Sequence, residues 1–339
     1  MEFKLNKKGY DLKDLKNWDA LGEEEVQIKN IAISLFNGEL SEETLNEQLK
    51  QVEDELDYHL NADFDDRKLI GDKPSDFEDR IYGNNNVEGS DALHGTHVSG
   101  IIAAIRNNNL GGDGVAENVK IMSLRAVPNG DEHDKDIALA IRYAVDNGAK
   151  IINMSFGKAY SSYQKEVYQA MEYADSKDVL LVHAAGNDHK NIDIESNFPA
   201  VKYDFQSKPL NLLITVGAST EDDKGHLAAD FSNFGNKSVD IFAPGQDIFN
   251  TIPGNKYKKL DGTSMAAPMV SGVAALLKSF YPELSMLKIR EIIINSGKDY
   301  GKTLQVKPGD LNKVKFIELS KYGKVVDLFN SVKMCESQH

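Results

Sequence analysis

The feature that most constrains the fold is an alternation, from residue 94 onward, of short apolar runs with amphipathic segments. The runs are rich in Val and Ile and apolar throughout, which is typical of strands buried on both faces. The segments between them have helical spacing. This order predicts an α/β fold with a doubly wound, mostly parallel sheet flanked by helices. The predicted strands cover residues 119–127, 150–157, 179–186, 211–219 and 238–245.

The chain before residue 94 has a different composition. Residues 1–60 are polar and rich in Glu and Lys, and we expect surface helices over residues 26–36 and 45–60, where apolar residues recur at helical spacing. Residues 61–93 are rich in Asp, Asn and Gly, which indicates an irregular connector. The predicted organisation, listed in chain order, is a polar helical segment (1–60), a connector (61–93), a main domain (94–332) and a polar tail (333–339).

Charge and cysteine content exclude several classes of protein. The 53 acidic and 39 basic residues give a net charge of −14, which argues against a surface for nucleic acid or an anionic membrane. No run approaches the roughly 20 apolar residues of a membrane span, and the N-terminal residues lack the apolar core of a signal peptide. Cys335 is the only cysteine, so we expect neither an intrachain disulfide nor a cysteine-based zinc site. Because exported proteins can also lack disulfides, the compartment stays unknown.

The segment around Ser264 combines a sharp turn with a helix start. Pro268 lacks an amide hydrogen and clashes with the preceding turn, so the helix must begin within about one turn before it. Ser264 then lies at a helix N-terminus, where unpaired amides and the helix dipole favour a developing negative charge. Gly262 allows the chain to turn just before the serine. The alternative is an ordinary helix cap made by Thr263 or Ser264.

Two histidines, His94 and His97, lie at the start of another predicted helix. A zinc-peptidase signature needs histidines at i and i+4 with a Glu after the first, and here the spacing is i and i+3 with Gly and Thr between them. We therefore expect no metal here. His97 is expected to be packed and hydrogen-bonded inside the helix, with His94 at its entrance. The expected buried stripe consists of Val98, Ile101, Ile102 and Ile105.

The predicted strand over 179–186 is followed directly by Asn187. Ligands bind at the carboxyl ends of strands in doubly wound sheets, and a carboxamide there can donate a hydrogen bond to an oxyanion. Taken alone, Asn187 is also a common kind of turn residue.

Three blocks, HGTHVSGIIAA, AAGN and DGTSMAAPMVSGVAAL, together resemble the histidine, asparagine and serine blocks of subtilisin-like serine proteases. They occur in the family's order, and the likeness covers residues 80–332. The resemblance implies a serine endopeptidase acting on polypeptides, with His94 as the general base of a catalytic triad and Ser264 as its nucleophile. It implies that Asn187 and the Ser264 amide form the oxyanion hole. It also implies a monomer that requires no cofactor, and a secreted or cell-envelope location for the full-length protein.

The resemblance further implies a cleft that binds an extended peptide. One side of the cleft would be formed by Ser155, Phe156 and Gly157. The wall of the specificity pocket would be formed by Ala184, Ala185 and Gly186. The opposite edge of the cleft would lie at Pro128, Asn129 and Gly130.

The same resemblance places a structural calcium loop in residues 106–114. The loop residues that would bind the ion are Asn107, Asn108, Asn109 and Gly111. The ligands that the family takes from upstream segments have no counterpart in this sequence.

The family's aspartate precedes its histidine, at the end of an apolar strand that reads like Val-Ala-Val-Ile-Asp-Ser/Thr-Gly. No such run occurs here, and the nearest imitation, at Asp72, is a short run without the Ser/Thr-Gly. We interpret 94–332 as a catalytic domain that lacks this strand, and we expect the isolated chain to be nearly inactive. The explanations are a truncated gene, a strand supplied by a separate chain or upstream segment, and a degenerate homologue that binds peptides without cleaving them. The intact His94, Asn187 and Ser264 favour truncation.

Overall fold

The computed structural model describes residues 11–37, 46, 49–50, 52–61, 63–128, 132–206 and 209–337. The chain divides into two compact units, residues 1–66 and residues 67–339. The first unit contains helices α1 (Leu12–Asn17) and α2 (Glu23–Asn37) and a π-helical segment (Glu55–His59). Asp11 caps α1, because its carboxylate accepts the Asp14 N–H at 2.9 Å.

Both helices predicted in the N-terminal segment have counterparts in the first unit. Helix α2 covers the predicted range 26–36, and the described residues 49–50 and 52–54 are helical. Leu45, the first residue of the predicted stripe, lies outside the described residues. The remaining stripe residues are exposed: Leu49, Val52, Leu56 and Leu60.

The second unit is built around a six-stranded sheet. Counted in spatial order, its first five strands run parallel. The last strand pairs antiparallel with its neighbour. In spatial order the strands are β1 (Ile151–Met154), β2 (Leu180–Ala184), β3 (Leu213–Ser219), β4 (Ile241–Pro244), β10 (Lys324–Val325) and β7 (Lys298–Asp299). The predicted α/β fold with a mostly parallel sheet is confirmed.

Helices cover both faces of this sheet. The helices from Asp66 onward are, in chain order, α3 (Asp66–Ile70), α4 (Leu93–Ala103), α5 (Asp134–Asp146), α6 (Gln164–Ser176), α7 (Thr263–Phe280), α8 (Met286–Ser296) and α9 (Leu328–Glu336), and those from α5 onward pack in the cores on the sheet. Strand β2 shows why the runs are apolar throughout. Its Leu180 and Val182 pack in the core with α7 and α8, while Leu181 between them packs in the core with α5 and α6.

Two hairpins lie outside the main sheet, and the sequence did not predict them. Strands β5 (Ile248–Ile252) and β6 (Lys256–Leu260) form one, and β8 (Leu304–Val306) and β9 (Lys313–Lys315) form the other. The first turns through Gly254 and Asn255, which both have positive φ, as tight hairpin turns require.

The strand predicted over residues 119–127 is not formed. Residues 117–128 make no backbone–backbone hydrogen bond with any residue that the structure describes. A strand needs a neighbour to take its amide and carbonyl groups, and none of the described strands lies beside this segment. Its exposed apolar side chains, 36–44% exposed, are Ile121, Met122, Leu124 and Val127. Strand β1 is correspondingly at the edge of the sheet and is half-buried, although its sequence is as apolar as that of an inner strand.

Candidate active site

His94 is the second residue of α4, the helix that packs against α7. Part of its ring is exposed, but neighbouring protein atoms desolvate the rest. This desolvation lowers the pKa of His94 from its ordinary value, and nearby His97 lowers it further. The charge of Asp91 raises it, although no described carboxylate forms a hydrogen bond or ion pair with His94. His94 is therefore neutral near pH 7, which is the form that a general base needs.

The other histidine, His97, is fully buried inside α4. Its Nε2 lies 3.1 Å from the carbonyl oxygen of Lys258, to which it donates a hydrogen bond. The prediction that His97 is packed and hydrogen-bonded is confirmed. The prediction that Ile105 belongs to the buried stripe is wrong, because α4 ends at Ala103 and the Ile105 side chain is exposed.

Ser264 occupies the first turn of α7, which begins at Thr263 as Pro268 predicts. Gly262, the residue before α7, has a φ of 151°. Residues other than glycine rarely adopt this backbone conformation. Because Pro268 has no N–H, the Ser264 carbonyl lacks its usual helical donor, and the Ser155 hydroxyl donates to it at 2.8 Å. The Ser264 hydroxyl in turn donates to the Ser155 carbonyl at 3.2 Å. In this structure the hydroxyl is therefore directed at Ser155 and not at His94.

A chain of polar side chains fixes Ser155 in this position. The Asn153 Nδ2 donates to the Ser155 Oγ at 2.8 Å, and the Asn153 Oδ1 accepts the Ser271 hydroxyl at 2.9 Å. Asn153 lies on β1 and Ser271 on α7. The bonds thus join the end of β1 to the helix that carries Ser264.

Asn187 is held through the oxygen of its carboxamide. Its Oδ1 accepts both the backbone N–H and the hydroxyl of Thr263, each at 2.9 Å, and the Thr263 Oγ1 accepts the Gly186 N–H at 3.0 Å. A Cβ built on Gly262 would lie 3.5 Å from the Ser264 nitrogen and 3.6 Å from the Asn187 Nδ2. Both nitrogens therefore lie within 3.6 Å of one point beside Gly262, and their joint role as an oxyanion hole stays a prediction.

A cavity of about 320 Å³ opens beside Ser264 and Asn187. Some of the cleft residues predicted from the sequence line this cavity, namely Phe156, Gly157, Ala184 and Gly186. Ala185 does not line the cavity, and its side chain is fully buried. Its carbonyl oxygen accepts the side-chain amides of Asn197 and Asn233, each at 2.9 Å.

The cavity also has polar lining residues that the sequence did not indicate. They are Lys158, Asp188, Lys190, Ser196, Asn197 and Asn233. Most of them come from loops whose contact with the cavity depends on the tertiary fold. Sequence position could have suggested two of them, because Asp188 directly follows Asn187 and Lys158 directly follows Gly157.

The predicted opposite edge of the cleft is described only in part. Pro128 does not line the cavity, and Asn129 and Gly130 lie outside the described residues.

The predicted calcium loop is an irregular turn with Asn107 and Asn109 at positive φ. The Asn108 Oδ1 accepts the Leu110 N–H at 2.9 Å, so this oxygen serves the loop itself. The Gly111 position packs against the Phe249 ring. Among the residues that the structure describes, no group of three His, Cys, Asp or Glu side chains lies close enough together to hold a metal ion. Calcium binding stays a prediction.

Asp72, the nearest imitation of the family's aspartate, binds two basic side chains and not His94. Its carboxylate is buried, accepts Arg67 at 3.0 Å and forms a short ion pair with Lys135. It therefore serves a buried ionic cluster in which Arg67 also contacts Asp136.

Comparison with known proteins agrees with this arrangement. The family model described as "Subtilase family" matches residues 41–314. The chain belongs to the subtilase family. This subtilase is 38% identical over 234 residues to the thermophilic serine proteinase of Bacillus sp. (strain AK1). The matched residues make up 69% of the chain and 52% of the relative. It is 35% identical over 261 residues to the cell wall-associated protease of Bacillus subtilis (strain 168), covering 77% of the chain and 27% of the relative.

Among solved structures, the subtilase resembles a chain from the study "Structural basis of subtilase cytotoxin SubAB assembly". The TM-score is 0.60 at 26% identity, over 74% of this chain and 79% of that chain. The subtilase spans about half of the first curated relative and about a quarter of the second. None of its described helices is long and apolar enough to cross a bilayer.

Proposed function

We propose that this subtilase is a serine endopeptidase that hydrolyses peptide bonds, with Ser264 as nucleophile and His94 as general base. The observation that carries the proposal is that the Ser264 nitrogen and the Asn187 Nδ2 both lie within 3.6 Å of one point beside Gly262, at the start of α7. Donors fixed in advance beside a serine stabilise the oxyanion that forms when a hydroxyl attacks a carbonyl. The names of the relatives, serine proteinase and protease, support the same reaction.

The reaction follows from the chemistry of these groups. The Ser264 hydroxyl leaves its hydrogen bond with the Ser155 carbonyl and attacks the substrate carbonyl while neutral His94 takes its proton. The carbonyl oxygen becomes negative between the two donors. His94 then gives the proton to the leaving amine, and water repeats the sequence on the acyl-enzyme. None of these steps draws on a cofactor.

The cleft accounts for a polypeptide substrate. The backbone of residues 155–157 continues beyond β1, and an extended peptide would lie beside it in the manner of an added strand. The cavity beside Ser264 would receive the side chain that precedes the cut bond. For the full-length protein we propose a secreted or cell-envelope location, supported by the relative that is named as cell wall-associated.

Hydrolysis of a fluorogenic extended peptide by the full chain tests the proposal. We expect cleavage that Ser264→Ala abolishes. The matched control is Ser279→Ala, on the same helix, where the hydroxyl is exposed and bonds only the Leu276 carbonyl. Cleavage that persists in Ser264→Ala would overturn the assignment of the nucleophile.

One observation favours a second candidate function. His94 has no carboxylate partner among the residues that the structure describes, and loss of the triad aspartate in subtilisin itself lowers turnover by about 3 × 10⁴. A homologue that binds peptides without turnover fits this arrangement. In that case the wild type and Ser264→Ala would bind the peptide equally and neither would cleave it.

We also propose that an additional strand supplies the missing carboxylate by pairing with the free edge of β1. The edge position of β1 and the unpaired backbone of residues 117–128 support this proposal. Adding a strand to an open sheet edge satisfies backbone groups of this kind. The new strand would be apolar and would end in an aspartate that orients the imidazole of His94.

A peptide added in trans tests this proposal. We expect Val-Ala-Val-Ile-Asp-Ser-Gly to raise the rate of hydrolysis by the full chain, and the same peptide with Asn for Asp to raise it far less. Equal effects of the two peptides, or no effect of either, would contradict the proposal.

A further inference from the structure

Lys158 lies directly after the expected cleft residues 155–157 and lines the cavity beside Ser264. Its side chain is only 13% exposed. The ammonium group is 3.0 Å from the Asp134 Oδ1 and also donates a short hydrogen bond to the Glu132 carbonyl. A lysine in the wall of the cleft is therefore turned away from the open cavity, toward the residues at the start of α5.

Asp134 gathers further bonds from the same part of the chain. Its Oδ2 accepts the Ser161 hydroxyl at 3.0 Å and the Tyr163 N–H at 2.7 Å. The carboxylate is buried and is the first residue of α5, where the helix dipole favours a negative charge. Three residues that follow the cleft residues 155–157 thus bond to the first residue of α5, namely Lys158, Ser161 and Tyr163.

The backbone of Lys158 joins a third segment to this arrangement. Its N–H donates to the Phe198 carbonyl at 3.0 Å, and its carbonyl accepts the Phe198 N–H at 2.8 Å. The preceding residue, Asn197, lines the cavity and donates to the Ala185 carbonyl. Lys158 therefore connects the cleft strand, the cavity lining at Asn197 and the segment before α5.

We infer that Lys158 and Asp134 are positioning residues that hold the walls of the cleft in register for an extended peptide. The inference rests on the proposed peptidase function and deepens it. A buried ion pair contributes little net stability compared with well-packed apolar groups, because desolvation offsets the attraction between the charges. Its value here is geometric, because a charged pair fixes two chain segments at one distance and one orientation.

The test compares an extended substrate with a small one. For Lys158→Met, which keeps most of the alkyl stem, we expect kcat/KM for an extended peptide to fall by about 10²-fold, mainly through KM. The rate at which a small fluorophosphonate labels Ser264 should change by less than about 3-fold, because that reagent needs the serine and histidine but not the cleft walls. Lys158→Arg should recover part of the peptide activity.

A double-mutant cycle separates the pair from its parts. We expect Asp134→Asn with Lys158→Met to cost no more kcat/KM than Lys158→Met alone. The control variant is Lys288→Met, whose ammonium is exposed and 3.8 Å from Glu291 on α8, and it should leave both rates unchanged. Thermal unfolding of each variant shows that it is folded.

Two results would overturn the inference. Peptide hydrolysis and labelling that fall together would indicate a purely structural role, and no loss in either would indicate no role. A wild type that neither labels nor hydrolyses is a failure of the proposed function instead. The affinity of a fluorescent extended peptide then decides the inference, which stands if Lys158→Met weakens binding and fails if it does not.

Discussion

Asn187 accepts both hydrogens that Thr263 can donate, the backbone N–H and the hydroxyl, each at 2.9 Å. The other side-chain atom of this carboxamide, Nδ2, would lie 3.6 Å from a Cβ on Gly262, and the Ser264 nitrogen 3.5 Å from the same point. The orientation of the expected oxyanion donor is therefore set by the residue next to the nucleophile. Thr263 is almost fully buried, while Asn187 is exposed and lines the cavity.

Replacement of Asn187 by Ala should lower kcat far more than it changes KM. The amide is aimed at charge that exists only in the transition state, so its loss affects the chemical step. In subtilisin itself the loss of such a side-chain donor lowers kcat by about 10²–10³. Steady-state kinetics on an extended peptide measure the effect here. A change confined to KM would show that Asn187 binds the ground state.

Thr263→Val should reduce kcat by a smaller factor, about 10-fold, because the hydroxyl that orients Asn187 is lost while the backbone N–H still holds it. The Gly186 N–H also loses its acceptor at 3.0 Å, which should destabilise the fold by roughly 1–3 kcal/mol. Thr263→Ser keeps the hydroxyl and is the matched control. Wild-type kcat in the Val variant would show that the backbone bond suffices.

His183 should make the stability of the fold depend on pH between about 6.5 and 4. The imidazole is buried on β2, and this burial lowers its pKa to about 4, against the opposing effect of its hydrogen bond to the Phe156 carbonyl. In this range the unfolded chain binds a proton that the folded chain does not, so the free energy of unfolding decreases as the pH falls.

The size of this effect is about 1.4 kcal/mol per pH unit, and it levels off below pH 4. Urea unfolding at several pH values measures it, with His183→Gln as the comparison because the amide can still donate a hydrogen bond and does not titrate. We expect the stability difference between wild type and variant to shift by roughly 3 kcal/mol from pH 7 to pH 4. Parallel pH profiles would assign the dependence to other groups.

Two glycines of α4 should respond oppositely to alanine. A Cβ on Gly100 would lie 2.2 Å from the Thr251 Oγ1 and 2.3 Å from the Asn250 Oδ1, so Gly100→Ala should destabilise the fold by about 1–3 kcal/mol. A Cβ on Gly95 would meet nothing within 4 Å, so Gly95→Ala should stabilise the helix by up to about 1 kcal/mol. Urea unfolding of both variants checks the contrast. Equal shifts would contradict the packing seen beside Gly100.

The parts that sequence predicted well are those set by local chemistry. The apolar runs predicted β1 to β4 because strands buried on both faces need apolar residues at every position. The position of Ser264 followed from Pro268, whose missing amide limits where α7 can begin. Both inferences use neighbours along the chain.

The parts that sequence missed depend on distant contacts. Residues 119–127 have the composition of a strand, but a strand also needs a neighbour, which composition does not reveal. Asn197 lines the cavity because the fold pairs the next residue, Phe198, with Lys158, and the bond of Lys158 to Asp134 likewise joins residues far apart in the chain. Neither residue type carries a signal for such a role.

Mass spectrometry after reaction with a fluorophosphonate probe tests the central claim most directly, because it identifies the residue that acts as nucleophile. The proposed function predicts a single adduct on Ser264 of the full chain, absent in Ser264→Ala and formed much more slowly in His94→Ala. The claim is contradicted if Ser264 stays unlabelled even with the aspartate-bearing strand peptide present, or if the adduct forms on Ser264 equally fast without the His94 imidazole.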